Sequence, residues 1–239
     1  MVRHQVVWAL LWVMTLGLCA EVAAQEKKND AVIPVPRQGG WMNRHKSFNE
    51  RVKKGNVDLV FIGDSITQGW EGRGKSVWAK YYGKRNAVNL GISGDRTQHV
   101  IWRLQNGNLE GISPKLAVIM IGTNNARANA PKQVAAGVKD IVEELQKRSP
   151  KTKILLLGIF PRGADEKNPL RKKNAAVNGM IKKFADDKNV VYLDIGKNFL
   201  EKDGTLTKEI MYDLLHLTTK GYNIWAESIE PQVKQLLGE

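Results

Sequence analysis

From Gly55 onward the chain alternates short apolar runs with longer amphipathic ones. The apolar runs, at 58–62, 87–90, 116–121, 153–159 and 190–194, are rich in Val, Ile and Leu. They have the length and composition of strands buried on both faces. Between them the 3.6-residue period predicts helices over 77–82, 97–104, 131–147, 170–187 and 218–237, with an earlier one over 41–54. Pro131 stands where a helix should begin. Strands alternating with helices imply a parallel sheet with right-handed crossovers and helices on both faces. No repeat, low-complexity stretch or linker interrupts residues 41–239, so one α/β domain is expected there.

The N-terminus reads differently. A short basic stretch containing Arg3 precedes an apolar run from Val6 to Ala20, and Val22-Ala23-Ala24 offers small residues for a signal peptidase. About 15 apolar residues is short of the roughly 20 that span a bilayer. Residues 1–24 are therefore expected to be a signal peptide, making the protein secreted or periplasmic and without stable membrane insertion after cleavage. Residues 25–40, with Pro34, Pro36, Gly39 and Gly40, should form an extended arm. Cys19, the single cysteine, falls inside the leader, which excludes a disulfide or thiolate site in the mature chain. The formal charge of +13 survives cleavage, because the leader carries only Arg3 and Glu21. A solvated basic surface accounts for it. Nucleic acid is not expected as a partner, since no recognition motif accompanies the charge.

In an open parallel sheet, ligands sit beyond the carboxyl ends of the strands. Three strand ends here carry chemistry: Gly63-Asp64-Ser65, Gly91-Ile92-Ser93-Gly94-Asp95 and Gly122-Thr123-Asn124-Asn125. Serine is a poor nucleophile unless a positioned base takes its proton, and the base needs an orienting partner. Asp213-Leu214-Leu215-His216 supplies both, expected on one face of a helical turn. The backbone N–H groups of Gly94 and Ser65 and the amide of Asn124 suit an oxyanion. His99 reads as a packing or hydrogen-bonding residue and His45 as lying on a surface helix. Asp95, Arg96 and Arg162 read as structural, and Trp70 as core, with a sugar contact as its alternative. No metal-ligand spacing or nucleotide-binding glycine motif is present, and no cofactor is expected.

These blocks, together with His99 to Leu104, Pro161-Arg162-Gly163, Asn168-Pro169-Leu170-Arg171 and Asp213 to Thr218, resemble the SGNH (GDSL-type) hydrolase superfamily. Within it the likeness is greatest to the catalytic subunits of platelet-activating factor acetylhydrolase. The resemblance implies a flavodoxin-like three-layer α/β/α sandwich around about five parallel strands. It implies metal-independent ester hydrolysis with Ser65 as nucleophile, Gly94 and Asn124 as oxyanion donors, and Asp213 with His216 as the acid–base pair. It further implies that Ile66, Thr123 and Leu215 border a small acyl pocket, which favours acetyl esters, and that a homodimer forms. Departures are Ile66, where the family has leucine, and the stretch 69–75, which looks longer than its counterpart and lies beside Ser65. The expected substrate is a small acyl ester, with a glycan as its carrier. A phospholipid-directed esterase and a non-catalytic glycan-binding module on the same fold are the alternatives.

Overall fold

The computed structural model describes residues 28–186 and 188–239; the expected leader lies outside them. Five strands, β1 Leu59–Gly63, β2 Ala87–Gly91, β3 Leu116–Met120, β4 Lys153–Leu157 and β5 Val190–Leu193, form one parallel sheet in the order β2-β1-β3-β4-β5. The helices are α1 Gly40–Lys53, α2 Ser65–Gln68, α3 Lys75–Tyr81, α4 Thr97–Gln105, α5 Pro131–Arg148, α6 Pro169–Ile181 and α7 Thr219–Leu237. This is the expected three-layer sandwich of flavodoxin-like order. Its strand order reverses between β1 and β3, the place where open sheets of this kind bind ligands at the carboxyl edge.

Side chains alternate across the sheet and make two cores. Val60, Ile62, Leu90, Ile119 and Leu156 pack with Phe48, Val100, Val138 and Val177 of α1, α4, α5 and α6. Leu59, Phe61, Val118 and Leu155 face Val77 of α3 and Tyr222, Trp225 and Ile229 of α7. Trp70 belongs to this second core. It is 1% exposed and lies among Phe61, Trp78, Tyr82, Tyr222 and Trp225, so no sugar reaches it. His45 also departs from expectation: it is buried between Trp41 and Trp102.

Two further boundaries differ for local reasons. Helix α6 stops at Ile181 and gives way to a 3₁₀ turn, Lys182–Phe184. The Asp186 carboxylate then accepts the N–H groups of Lys188, Asn189 and Val190 and steers the chain into β5. Residues 28–39 hold one 3₁₀ turn, Asp30–Val32, laid against α4 and α5, with Ala31 fully buried.

Candidate active site

Helix α2 starts at Ser65 because Asp64 caps it: its Oδ1 accepts the Ile66 N–H at 3.0 Å. The helix lies directly on β1 and β2, and this needs glycine beneath it. A Cβ on Gly91 would overlap the backbone of Thr67 and Gln68, and one on Gly63 would overlap Thr67. Ser65 is thereby held at the carboxyl edge, half-buried, at the point where the strand order reverses.

Ser65 Oγ lies 2.9 Å from His216 Nε2, and His216 Nδ1 lies 2.6 Å from Asp213 Oδ2. A carboxylate only accepts, so Nδ1 donates to Asp213, and with the proton there Nε2 is the nitrogen that can accept the hydroxyl proton. The acid and imidazole do not sit on a helical turn as expected. They occupy an irregular turn closed by a bridge between Met211 and Leu217. Asp213 Oδ1 accepts the N–H of Leu215 at 3.1 Å and of His216 at 2.7 Å, which folds the turn around the carboxylate. Leu214 pays for the tight path with a φ of 61°, and its carbonyl accepts the Gly163 N–H at 2.9 Å. Partial burial pushes the Asp213 carboxyl up, but the backbone N–H and imidazole of His216 outweigh it and hold it below the ordinary range.

The expected oxyanion donors stand on the loops that follow β1, β2 and β3. The N–H of Ser65 opens α2, where no intrahelical acceptor exists. Gly94 adopts a φ of 76° in a turn closed by Asp95 N–H to Ile92 O, and its N–H has no acceptor among the described residues. One Asn124 amide N–H goes to the Asp95 carbonyl at 2.9 Å. The other faces Asp64 Oδ2 at 3.4 Å, long enough to be yielded to a stronger acceptor. Burial pushes the Asp64 carboxyl up to about 7; the Ile66 N–H opposes this, Asp95 reinforces it and Arg162 opposes it.

Beneath the β2 loop, Asp95 is fully buried. It accepts from Trp41 Nε1 at 2.6 Å and from Arg103 Nε at 2.9 Å. Burial pushes the Asp95 carboxyl up and the Arg103 guanidinium down, and their contact opposes both shifts. Arg103 stands on α4, so its bond to Asp95 ties the loop to that helix, and its Nη1 continues to Asn108 Oδ1 at 2.6 Å. His99 Nδ1 accepts the Arg96 N–H at 3.0 Å. Burial and then the charges of Arg37, Arg96 and Arg103 push His99 down to about 4, so it stays neutral as a structural acceptor. Ile66 and Thr123 are almost fully buried and Leu215 half-buried. Thr123 Oγ1 is fixed by Arg162 Nη1 at 3.1 Å and Asn174 Nδ2 at 3.2 Å. Among the described residues no three His, Cys, Asp or Glu side chains gather as a metal set.

Sequence reasoning missed several neighbours. Gln68 Oε1 accepts the Ser93 N–H at 2.7 Å, and Arg37 Nη1 donates to the Ser93 carbonyl at 2.8 Å. Tyr212, exposed, stacks on His216, and the Arg73 guanidinium lies 4.3 Å from the Tyr212 ring centre. The 69–75 stretch thus reaches the site through Arg73 and not through Trp70. Nothing in local periodicity marks these residues, because Gln68, Arg37 and Arg73 act through partners distant in the chain and Tyr212 lies in an irregular turn.

The family model of the GDSL-like lipase/acylhydrolase family matches residues 61–224, from β1 into α7. The chain belongs to that family. It is accordingly a carboxylic ester hydrolase of the GDSL/SGNH class. It is 39% identical over 225 residues to the rat (Rattus norvegicus) platelet-activating factor acetylhydrolase IB subunit alpha2, covering 90% of this chain and 95% of that one. A GDSL-like lipase from Bacteroides thetaiotaomicron superposes with a TM-score of 0.66 at 21% identity, covering 81% of this chain and 97% of that one. An acetylxylan esterase from Geobacillus stearothermophilus gives 0.60 at 22%, covering 77% and 95%. At such identity these last two likenesses are ones of fold.

Proposed function

We propose that Ser65, His216 and Asp213 form a catalytic triad hydrolysing short-chain esters, chiefly acetyl esters. The observation that carries this is the unbroken line from Ser65 Oγ through His216 to Asp213, at 2.9 and 2.6 Å. Ser65 Oγ attacks the ester carbonyl carbon while its proton passes to His216 Nε2. The carbonyl oxygen becomes an oxyanion held by the N–H groups of Ser65 and Gly94 and the amide of Asn124. The imidazolium, steadied by Asp213, returns its proton to the departing alcohol. Water, activated by the same imidazole, then releases the acid and restores Ser65. Ile66, Thr123 and Leu215 border the acyl group, and the fixing of Thr123 by Arg162 and Asn174 leaves little freedom to admit a long chain.

For the alcohol, a carbohydrate carrier is the primary reading, supported by the basic surface and the leader-like residues 1–24, which fit export to the periplasm or beyond. A second reading, an acetylated phospholipid, is favoured by the name of the 39%-identical relative. Purified protein assayed on p-nitrophenyl esters should prefer acetate to octanoate by at least about tenfold in kcat/KM, a difference of about 1.4 kcal/mol. Preference for octanoate would refute the short-acyl assignment. Acetylated xylooligosaccharide compared with 2-acetyl glycerophosphocholine then decides the alcohol; faster turnover of the phospholipid would reject the carbohydrate reading. Mass spectrometry of protein exported by its host should find Gln25 as the first residue, and an intact Met1 would reject cleavage.

A further inference from the structure

We infer that Arg37, on the N-terminal arm, is a positioning residue of the oxyanion site. Its guanidinium latches the Ser93–Gly94 peptide so that the Gly94 N–H faces the reacting carbonyl. The inference rests on the roles proposed above for Ser65 and Gly94. The Ser93 carbonyl and the Gly94 N–H belong to one planar trans peptide, so they point in opposite directions. Arg37 Nη1 holds the carbonyl at 2.8 Å, and the N–H is left facing away from Arg37 without an acceptor among the described residues. Whatever fixes the carbonyl therefore fixes the aim of the donor.

A latch is needed because Gly94 resists rotation poorly. It sits at a φ of 76°, and without a Cβ both orientations of the preceding peptide are accessible. Gln68 Oε1 holds the other side of Ser93 through its N–H at 2.7 Å, which fixes the residue but not the Ser93–Gly94 plane. Arg37 lies over Gly94: its Nη1 is 3.0 Å from where a Cβ would stand, and 3.8 Å from Asp95 Oδ1. A cationic donor on the carbonyl also polarises the peptide, making its N–H a stronger donor.

The arm that carries Arg37 is built to hold it. Ala31 O accepts from Thr97 Oγ1 at 2.7 Å, Asp30 Oδ1 from Asn129 Nδ2 at 2.5 Å, and Gln133 O from Asn29 Nδ2 at 3.3 Å. Val35 N–H reaches the Gln98 carbonyl at 3.4 Å. Pro34 and Pro36 restrict the backbone just before the arginine. A segment that reads as an extended arm thus supplies part of the site's frame.

The test uses p-nitrophenyl acetate, a neutral ester, with wild type, Arg37→Met, Arg37→Lys and Ser65→Ala. Loss of an oxyanion donor costs about 10²–10³ in kcat, and a donor that is only mis-aimed part of the time costs less. Arg37→Met should therefore lose about tenfold in kcat with KM within about twofold. Arg37→Lys should recover part of that loss, and millimolar guanidinium should raise kcat of Arg37→Met alone. A KM increase at constant kcat would make Arg37 a substrate-binding residue and overturn the inference. Wild-type kinetics in Arg37→Met, with Ser65→Ala inactive, would overturn it while leaving the triad standing. An active Ser65→Ala would remove the triad and the inference together. If Arg37→Met melts early, Arg37→Lys carries the test: a kcat-only loss supports the latch, and wild-type kinetics refute it.

Discussion

The stability of Asp64→Asn relative to wild type should increase as pH rises. Asp64 is fully buried, and burial pushes its carboxyl up to about 7. In the unfolded chain an aspartate titrates near about 3.9. The folded state therefore binds the proton more tightly. The fold is most stable with respect to this group below about pH 4 and loses stability as pH climbs through about 7. Integrating between pH 5 and pH 8 with these two values gives a loss of about 2–3 kcal/mol. Asparagine keeps the capping oxygen that accepts the Ile66 N–H and never ionises, while its Nδ2, turned to the Asn124 amide, adds a cost that does not change with pH. The gap from wild type should thus widen in its favour by that amount across the same range. For a domain of this size that is roughly 5–10 °C in melting temperature. Thermal melts of both proteins at pH 5 and pH 8, followed by circular dichroism, measure the widening, and titrating groups that do not couple to Asp64 cancel in the difference. A gap that stays constant, or that reverses in favour of wild type at pH 8, would show that Asp64 is stably ionised and refute the argument.

Gly91→Ala should displace α2 by about 1 Å and cost about 10²-fold in kcat, since a Cβ there overlaps the Gln68 backbone; steady-state kinetics near wild type would show that α2 can adapt. Asp213→Asn keeps the oxygen that folds the turn but presents an N–H to His216 Nδ1, so kcat should fall by about 10³-fold or more with melting temperature little changed. Arg103→Met strands the buried Asp95 carboxylate and should destabilise the fold by about 3–5 kcal/mol in urea unfolding, against about 1 kcal/mol for an exposed pair.

The sheet was legible because a strand buried on both faces announces itself in composition. All five strands lie within two residues of the apolar runs, and the strand-end blocks fall at one edge as parallel topology requires. Ser65, Gly94 and Asn124 could be placed at that edge for the same reason, each following a strand whose place in the sheet could be inferred, whereas His216 stood out only by its spacing from Asp213. What failed was geometry made by side chains closing on backbone. An i, i+3 spacing suits a helical turn, yet Asp213 accepts two backbone N–H groups and folds a non-helical one. His45 shares the periodic buried face of Trp41, Phe48 and Val52, but a polar ring does not read as core until Trp102, more than fifty residues on, packs over it. Arg37 stands in a Pro- and Gly-rich segment, and its target carbonyl is 56 residues distant, so no local pattern points to it.

The central claim is that Ser65 becomes acylated. Acid-quenched single turnover of p-nitrophenyl acetate, followed by peptide mass mapping, tests it directly. The account predicts an acetyl group on the peptide containing Ser65, its accumulation matching a burst of p-nitrophenol, and both lost in Ser65→Ala. Undiminished turnover in Ser65→Ala, or an acetyl group carried on any other residue, would contradict it.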